Sequence, residues 1–116
     1  MTPPIPARRV RVTVQAKDAF FRRHRKDAVR AREAWASLVD KQDALLSDID
    51  FGPWFKPPKL PAFLRDVGAL HVVKGLPHGF RAVYAVIKDP KDGLVVQVEW
   101  LGDHKEYDAL FGYATS

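Results

Sequence analysis

Residues 70–111 read LHVVKGLPHGFRAVYAVIKDPKDGLVVQVEWLGDHKEYDALF, and the fold turns on this stretch. From Leu70 the apolar residues recur with a period of two, and the breaks between runs hold turn-forming residues. Leu70–Lys74 reads as a strand, and Leu76-Pro77-His78-Gly79 as a turn. Phe80–Ile87 reads as a second strand, and Lys88–Gly93, with Pro90 and Asp92-Gly93, as a hairpin connection. Leu94–Leu101 is the third strand, and strict alternation puts Leu94, Val96, Val98 and Trp100 on one face. Gly102 ends it, and Asp103 is placed to cap a short helix running to about Phe111.

Upstream, residues 51–61 read FGPWFKPPKLP. Four prolines and a glycine argue against regular structure, while three aromatics argue against a free linker, so the segment is expected to pack on the domain surface. Pro61 is placed to open a short helix ending at Gly68. Between Asp18, a possible cap, and Gly52 there is neither Gly nor Pro. Phe21, His24, Ala28, Ala31, Trp35, Leu38, Gln42, Leu45 and Ile49 recur there at spacings of three and four. That is one apolar stripe of a long helix, or of two helices meeting near Asp40. It serves a core or, less commonly, a partner helix. Arg22, Arg23, Arg25, Lys26 and Arg30 lie opposite. Arg9–Gln15 alternates as a half-buried strand with a basic outer face, and residues 1–7, with three prolines, read as a flexible lead-in.

The expected fold is therefore α+β. An N-terminal strand is followed by a long helix or helical hairpin, a three-stranded antiparallel meander and a short C-terminal helix, with the helices on one face of the sheet. At 116 residues, 47% hydrophobic and 28% charged, the chain suits a single domain, residues 1–116. With no cysteine, disulfide and thiol chemistry are excluded. No apolar run is long enough to span a bilayer and no apolar leader is recognisable, so a cytoplasmic location and no membrane partner are expected. The net charge of +5 is unevenly spread: residues 8–32 hold ten Arg or Lys and two Asp. Such a block suits either a polyanion or a solvated helix face.

There is no phosphate-binding glycine loop and no nucleophile elbow. His24, His71, His78 and His104 lack the usual metal-ligand spacings, so no metal or cofactor is expected. Arg81 sits mid-strand among apolar residues and needs a partner, either Glu99 on the next strand or a phosphate. His104, Lys105 and Tyr107 follow directly on a strand, with His104 and Tyr107 three apart on the helix. Cleavage of RNA by its own 2′-hydroxyl needs a base, an acid and positive charge on the phosphate, and this cluster holds such groups. Equally, His104 suits a helix start and Tyr107 a core ring.

The segment LPHGFRAVY, residues 76–84, resembles the Leu-Pro-x-Gly-aromatic-Arg-x-x-Tyr strand of RelE-like toxins. Residues 98–113, VEWLGDHKEYDALFGY, resemble the closing strand and helix of that superfamily, especially in HigB-like and archaeal RelE-like members. The resemblance is detailed over residues 70–113 and architectural over residues 8–69. It implies a toxin of a type II toxin-antitoxin system: an mRNA endonuclease acting at the ribosome without metal, neutralised by a cognate antitoxin. ParE-like relatives of that superfamily instead poison DNA gyrase without catalysis, and a third possibility is a non-toxic RNA- or partner-binding module of the same fold. By position, Arg81 falls on the strand arginine that contacts the scissile phosphate. Lys74 falls near the strand lysine, and His104 and Tyr107 fall in the catalytic C-terminal segment. Arg22, Arg23, Arg25, Lys26, Arg30 and Lys105 are the expected RNA-binding residues.

Overall fold

A computed structural model of the chain describes residues 3–114. Its strands are β1 (Arg9–Val12), β2 (Trp54–Phe55), β3 (Leu70–Val73), β4 (Phe80–Asp89) and β5 (Gly93–Asp103). Its helices are α1 (Val14–Arg23), α2 (Ala28–Asp40), α3 (Gln42–Ser47) and α4 (His104–Phe111). The strands form one mixed sheet in the order β1-β5-β4-β3-β2. β1 runs parallel to β5 and the other pairs are antiparallel. The α+β class and the β3-β4-β5 meander are as expected. The meander is local: each strand is joined to the next by a short turn, so alternation and turn chemistry suffice to specify it.

β1 is shorter than its alternation suggested. The Thr13 side chain accepts the N–H of Ala16 at 3.0 Å and starts α1, so Thr13 rather than Asp18 is the cap. Val14, expected to point inward from a strand, is instead 70% exposed on the helix. The helical region breaks at Lys41, next to the expected joint, and also at His24–Asp27, where no Gly or Pro marks it. The extra break has a tertiary cause. The His24 ring lies against Phe20 and Phe80, with centroids 5.2 and 5.0 Å away, and bonds to Glu106 on α4. Ala31, Leu38 and Leu45 of the stripe are buried, together with Phe20 and Ala34, whereas Gln42 is exposed.

The sheet is covered on both faces, not one. Phe20, Leu38 and Leu45 pack with Phe80, Tyr84, Val96, Val98 and Leu101. On the other face Leu64, Tyr107 and Phe111 pack with Leu70, Val72, Val83 and Trp100. A β-bulge makes this possible. Val83 pairs with Trp100 and Tyr84 with Val98, so Glu99 is left without a partner. The extra residue reverses the alternation, and Trp100 faces away from Val96 and Val98 rather than sharing their side.

Two segments expected to be irregular are ordered, one by the sheet and one by α3 and the loop after it. Trp54 and Phe55 pair with His71 and Leu70 as edge strand β2. The preceding Gly52 is buried where a Cβ would come within 2.7 Å of the Val72 carbonyl oxygen. The Pro61 helix reduces to a single 3-10 turn, Ala62–Leu64. Residues 1 and 2 of the expected lead-in lie outside the described residues. The rest of it docks: Ile49 N–H donates to the Ile5 carbonyl and Ala7 N–H to the Leu46 carbonyl, both at 2.8 Å.

Candidate nucleic-acid interface

Three of the four expected catalytic residues meet. Lys74 follows β3 two residues after Val72, and Arg81 precedes Val83 by two on β4. Alternation therefore directs both to the α4 face of the sheet. Opposite Arg81 stands the buried Gly102, where a Cβ would run into the Trp100 ring and Glu106 Oε1, so the glycine lets Trp100 and α4 close against β5. Lys74, Arg81 and Tyr107 line one open cleft of about 300 Å³ with Phe55, Asp108 and Tyr113. Among the described residues Arg81 forms no ion pair; its guanidinium lies 4.6 Å from the Tyr107 ring centroid. The alternative partner Glu99 is engaged elsewhere, accepting the Gln97 side-chain amide. Glu99 is also out of register with Arg81, which pairs with Gly102 three residues further along β5.

Tyr107 is almost fully buried, and its ring stacks on Tyr113 at 5.5 Å. Burial first, then Tyr113, raise its hydroxyl above the ordinary tyrosine range. It therefore remains a neutral phenol, and the aromatic surfaces left for a base are the half-buried Phe55 and Tyr113.

His104 does not belong to the cleft. It is the exposed first residue of α4, and a Cβ at Gly79 would lie 3.0 Å from its Nδ1. Although His104 and Tyr107 are one turn apart, Tyr107 turns into the core and His104 packs beside the turn before β4. Phe55, Asp108 and Tyr113 were not foreseen. Asp108 and Tyr113 carried no signal beyond lying in the family-like segment, and Phe55 reaches the cleft only because β2 joins the sheet.

The expected basic face is not one helix face. Arg22 and Arg23 end α1, Arg25 and Lys26 sit in the 3-10 turn, and Arg30 lies in the first turn of α2. Arg22, Arg25, Lys26 and Lys105 are exposed. Arg30 lies 3.8 Å from Asp27. Arg23 is also exposed, but its guanidinium is engaged: its Nε donates to Glu106 Oε2 at 2.7 Å and it also donates to the Leu101 carbonyl. This is structural use of a residue expected to hold RNA.

Glu106 is the centre of a network that sequence patterns did not reveal. Its Oε1 contacts His24 Nε2 at 2.6 Å and accepts the Asp103 N–H at 2.9 Å, while Asp103 Oδ1 accepts the Glu106 N–H at 2.8 Å. These bonds form the capping box of α4. Burial pushes the Glu106 carboxyl up, but the Asp103 N–H, Arg23 and His24 outweigh it and hold the carboxyl below its ordinary value. His24, Asp103 and Glu106 offer donor atoms within 4.8 Å of one another. However, both Glu106 oxygens are already engaged, one of them by an arginine, so the arrangement is an ion-pair network rather than a cation site.

A second and larger cavity, about 470 Å³, opens between α1 and the bulged part of β5. Gln15, Arg23, Phe63, Glu99 and Trp100 are among its walls. In comparisons with protein-family models, with curated proteins and with solved structures, nothing matches the chain.

Proposed function

We propose that this chain is a RelE-like toxin: a metal-independent endoribonuclease that cuts mRNA at the ribosome, stops translation in the cytoplasm and is neutralised by a cognate antitoxin. The observation that carries the reading is the convergence of Lys74 and of Arg81, which forms no ion pair among the described residues, on one open cleft beside aromatic rings. Two cations that form no ion pair among the described residues, in a cleft with the single carboxylate Asp108, suit a phosphodiester, whose charge grows as a 2′-hydroxyl attacks. The family resemblance of residues 76–84 and 98–113 supports the reading from the side of sequence. So does the order of elements, an N-terminal strand, helices, a meander and a closing helix. In this mechanism Arg81 holds the phosphate and Lys74 offsets its charge. Asp108 is the cleft's carboxylate for proton transfer. His104, outside the cleft, acts on nucleotide that extends past the α4 start.

The position of His104 also favours a second reading, a non-catalytic module that binds RNA in the same cleft. Expression of the chain alone, with pulse labelling of protein and DNA synthesis and mapping of mRNA 5′ ends, separates them. The toxin reading expects translation to stop first and new mRNA ends to appear. Translation arrest without new ends supports the binding module. An earlier fall in DNA synthesis points to a gyrase poison and removes the ribonuclease reading.

A further inference from the structure

We infer that the cavity between α1 and the bulge of β5 is a nucleobase subsite that takes guanine; the inference rests on the RNA-binding reading above but uses different residues. Its volume of about 470 Å³ accommodates a base with its ribose. Two aromatic rings bound it. Trp100 forms a nearly buried wall, and the Arg23 guanidinium lies 5.6 Å from its centroid. Phe63 stands at the mouth, 55% exposed, while its neighbour Leu64 is fully buried and anchors the turn. An exposed ring on the wall of such a cavity offers a face on which a single-stranded base stacks.

Glu99 supplies the choice of base. It is the residue left over by the bulge, lines the cavity, and is held by Gln97 on its own strand and not by a cross-strand partner. The Gln97 amide occupies Oε1, and among the described residues no hydrogen bond is made to Oε2. A carboxylate in the wall repels phosphate and would lose solvation under an apolar side chain of a protein partner. It is satisfied by a ligand that presents N–H groups. Guanine presents N1–H and the N2 amino group side by side, a two-donor edge that matches a carboxylate: Oε2 takes one donor, and Oε1, with Gln97 on one lone pair, has a second lone pair for the other. Adenine and cytosine offer a single amino group, and uracil a single ring N–H. Exposed Arg22, Arg25 and Lys26 flank Arg23 at the end of α1 and in the turn after it, and provide charge for the flanking phosphates.

The test is equilibrium binding of the full chain to fluorescein-labelled trinucleotides UGU, UIU, UAU, UCU and UUU, where I is inosine, which lacks the N2 amino group. UGU is expected to bind about ten-fold tighter than UIU or the others. Glu99→Gln is expected to erase that preference, and Phe63→Ala to weaken every trinucleotide by about ten-fold. Both side chains reach solvent, and circular dichroism melts show whether the variants fold. Equal affinity for all five, no binding at all, or a guanine preference that survives in folded Glu99→Gln overturns the inference. Lys74 and Arg81 are untouched in both variants, and no ribosome is present. Loss of the guanine preference is therefore read independently of whether the chain cuts mRNA.

Discussion

Tyr84 lies fully buried in β4 with its hydroxyl satisfied on both sides. The hydroxyl donates to the Ile49 carbonyl at 2.7 Å and accepts the Gly52 N–H at 2.9 Å, and His71 stacks on the ring at 4.8 Å. Burial, partly offset by the Gly52 N–H, pushes the phenol from 10.0 up to about 12. The fold thus favours the protonated form. This contribution is complete below pH 10.0 and is lost as the pH rises through about 12. Urea unfolding across that range is expected to show falling stability, with a shallower fall in Tyr84→Phe. At neutral pH the same variant is expected to lose about 1–3 kcal/mol, because the Ile49 and Gly52 groups remain buried without their partner. Arg81 behaves in the opposite way. It holds no ion pair among the described residues, so Arg81→Ala is expected to melt close to wild type. In single-turnover cleavage of mRNA on programmed ribosomes the variant should lose about 100- to 1,000-fold in rate. Equal cleavage by the folded variant would remove Arg81 from the site.

At the scale of elements, α4 matters most, because it covers one face of the sheet and brings Tyr107 and Asp108 to the cleft. Its start is held by Asp103 and Glu106, and Glu106 also fastens it to Arg23 and His24 at the end of α1. Glu106→Gln keeps the shape but removes the charge that Arg23 and His24 face. A loss of about 2 kcal/mol in denaturant unfolding at pH 7 is expected. The Glu106 carboxyl is depressed in the fold, so its contribution is present above the ordinary glutamate pKa and disappears as the pH falls through the lower, folded value. The acid limb of the stability curve should therefore be flatter in Glu106→Gln. A variant as stable as wild type, with an unchanged acid limb, would show that the capping box alone holds α4.

At the scale of the whole molecule, exposed Arg22, Arg25 and Lys26 at the α1–α2 turn are joined by exposed Lys105 at the start of α4, which Glu106 ties to the end of α1. Replacing Arg22, Arg25 and Lys26 together by Gln spares Arg23 and so leaves the α1–α4 network intact. If these residues meet phosphates, the slope of log affinity against log salt for RNA should fall by about one unit per lost contact. The melting temperature should hardly change. An unchanged slope would make this end a solvated surface.

The sequence by itself determined the meander, the hairpin after β4 and the cap at Asp103, because period-two alternation, turn residues and a helix cap act over a few neighbouring positions. It also brought Lys74, Arg81 and Tyr107 forward as a group. Only the tertiary structure decided which way side chains face. The single extra residue at Glu99 turns Trp100 to the other side of the sheet, and nothing in the local alternation of β5 announces it. The break at His24 is set by Phe20, Phe80 and Glu106, and the last two lie far along the chain. His104 leaves the cleft, Phe55 enters it and Arg23 is tied to Glu106 and the Leu101 carbonyl for the same reason. Each outcome depends on how distant elements dock, and local pattern does not encode that sum of contacts.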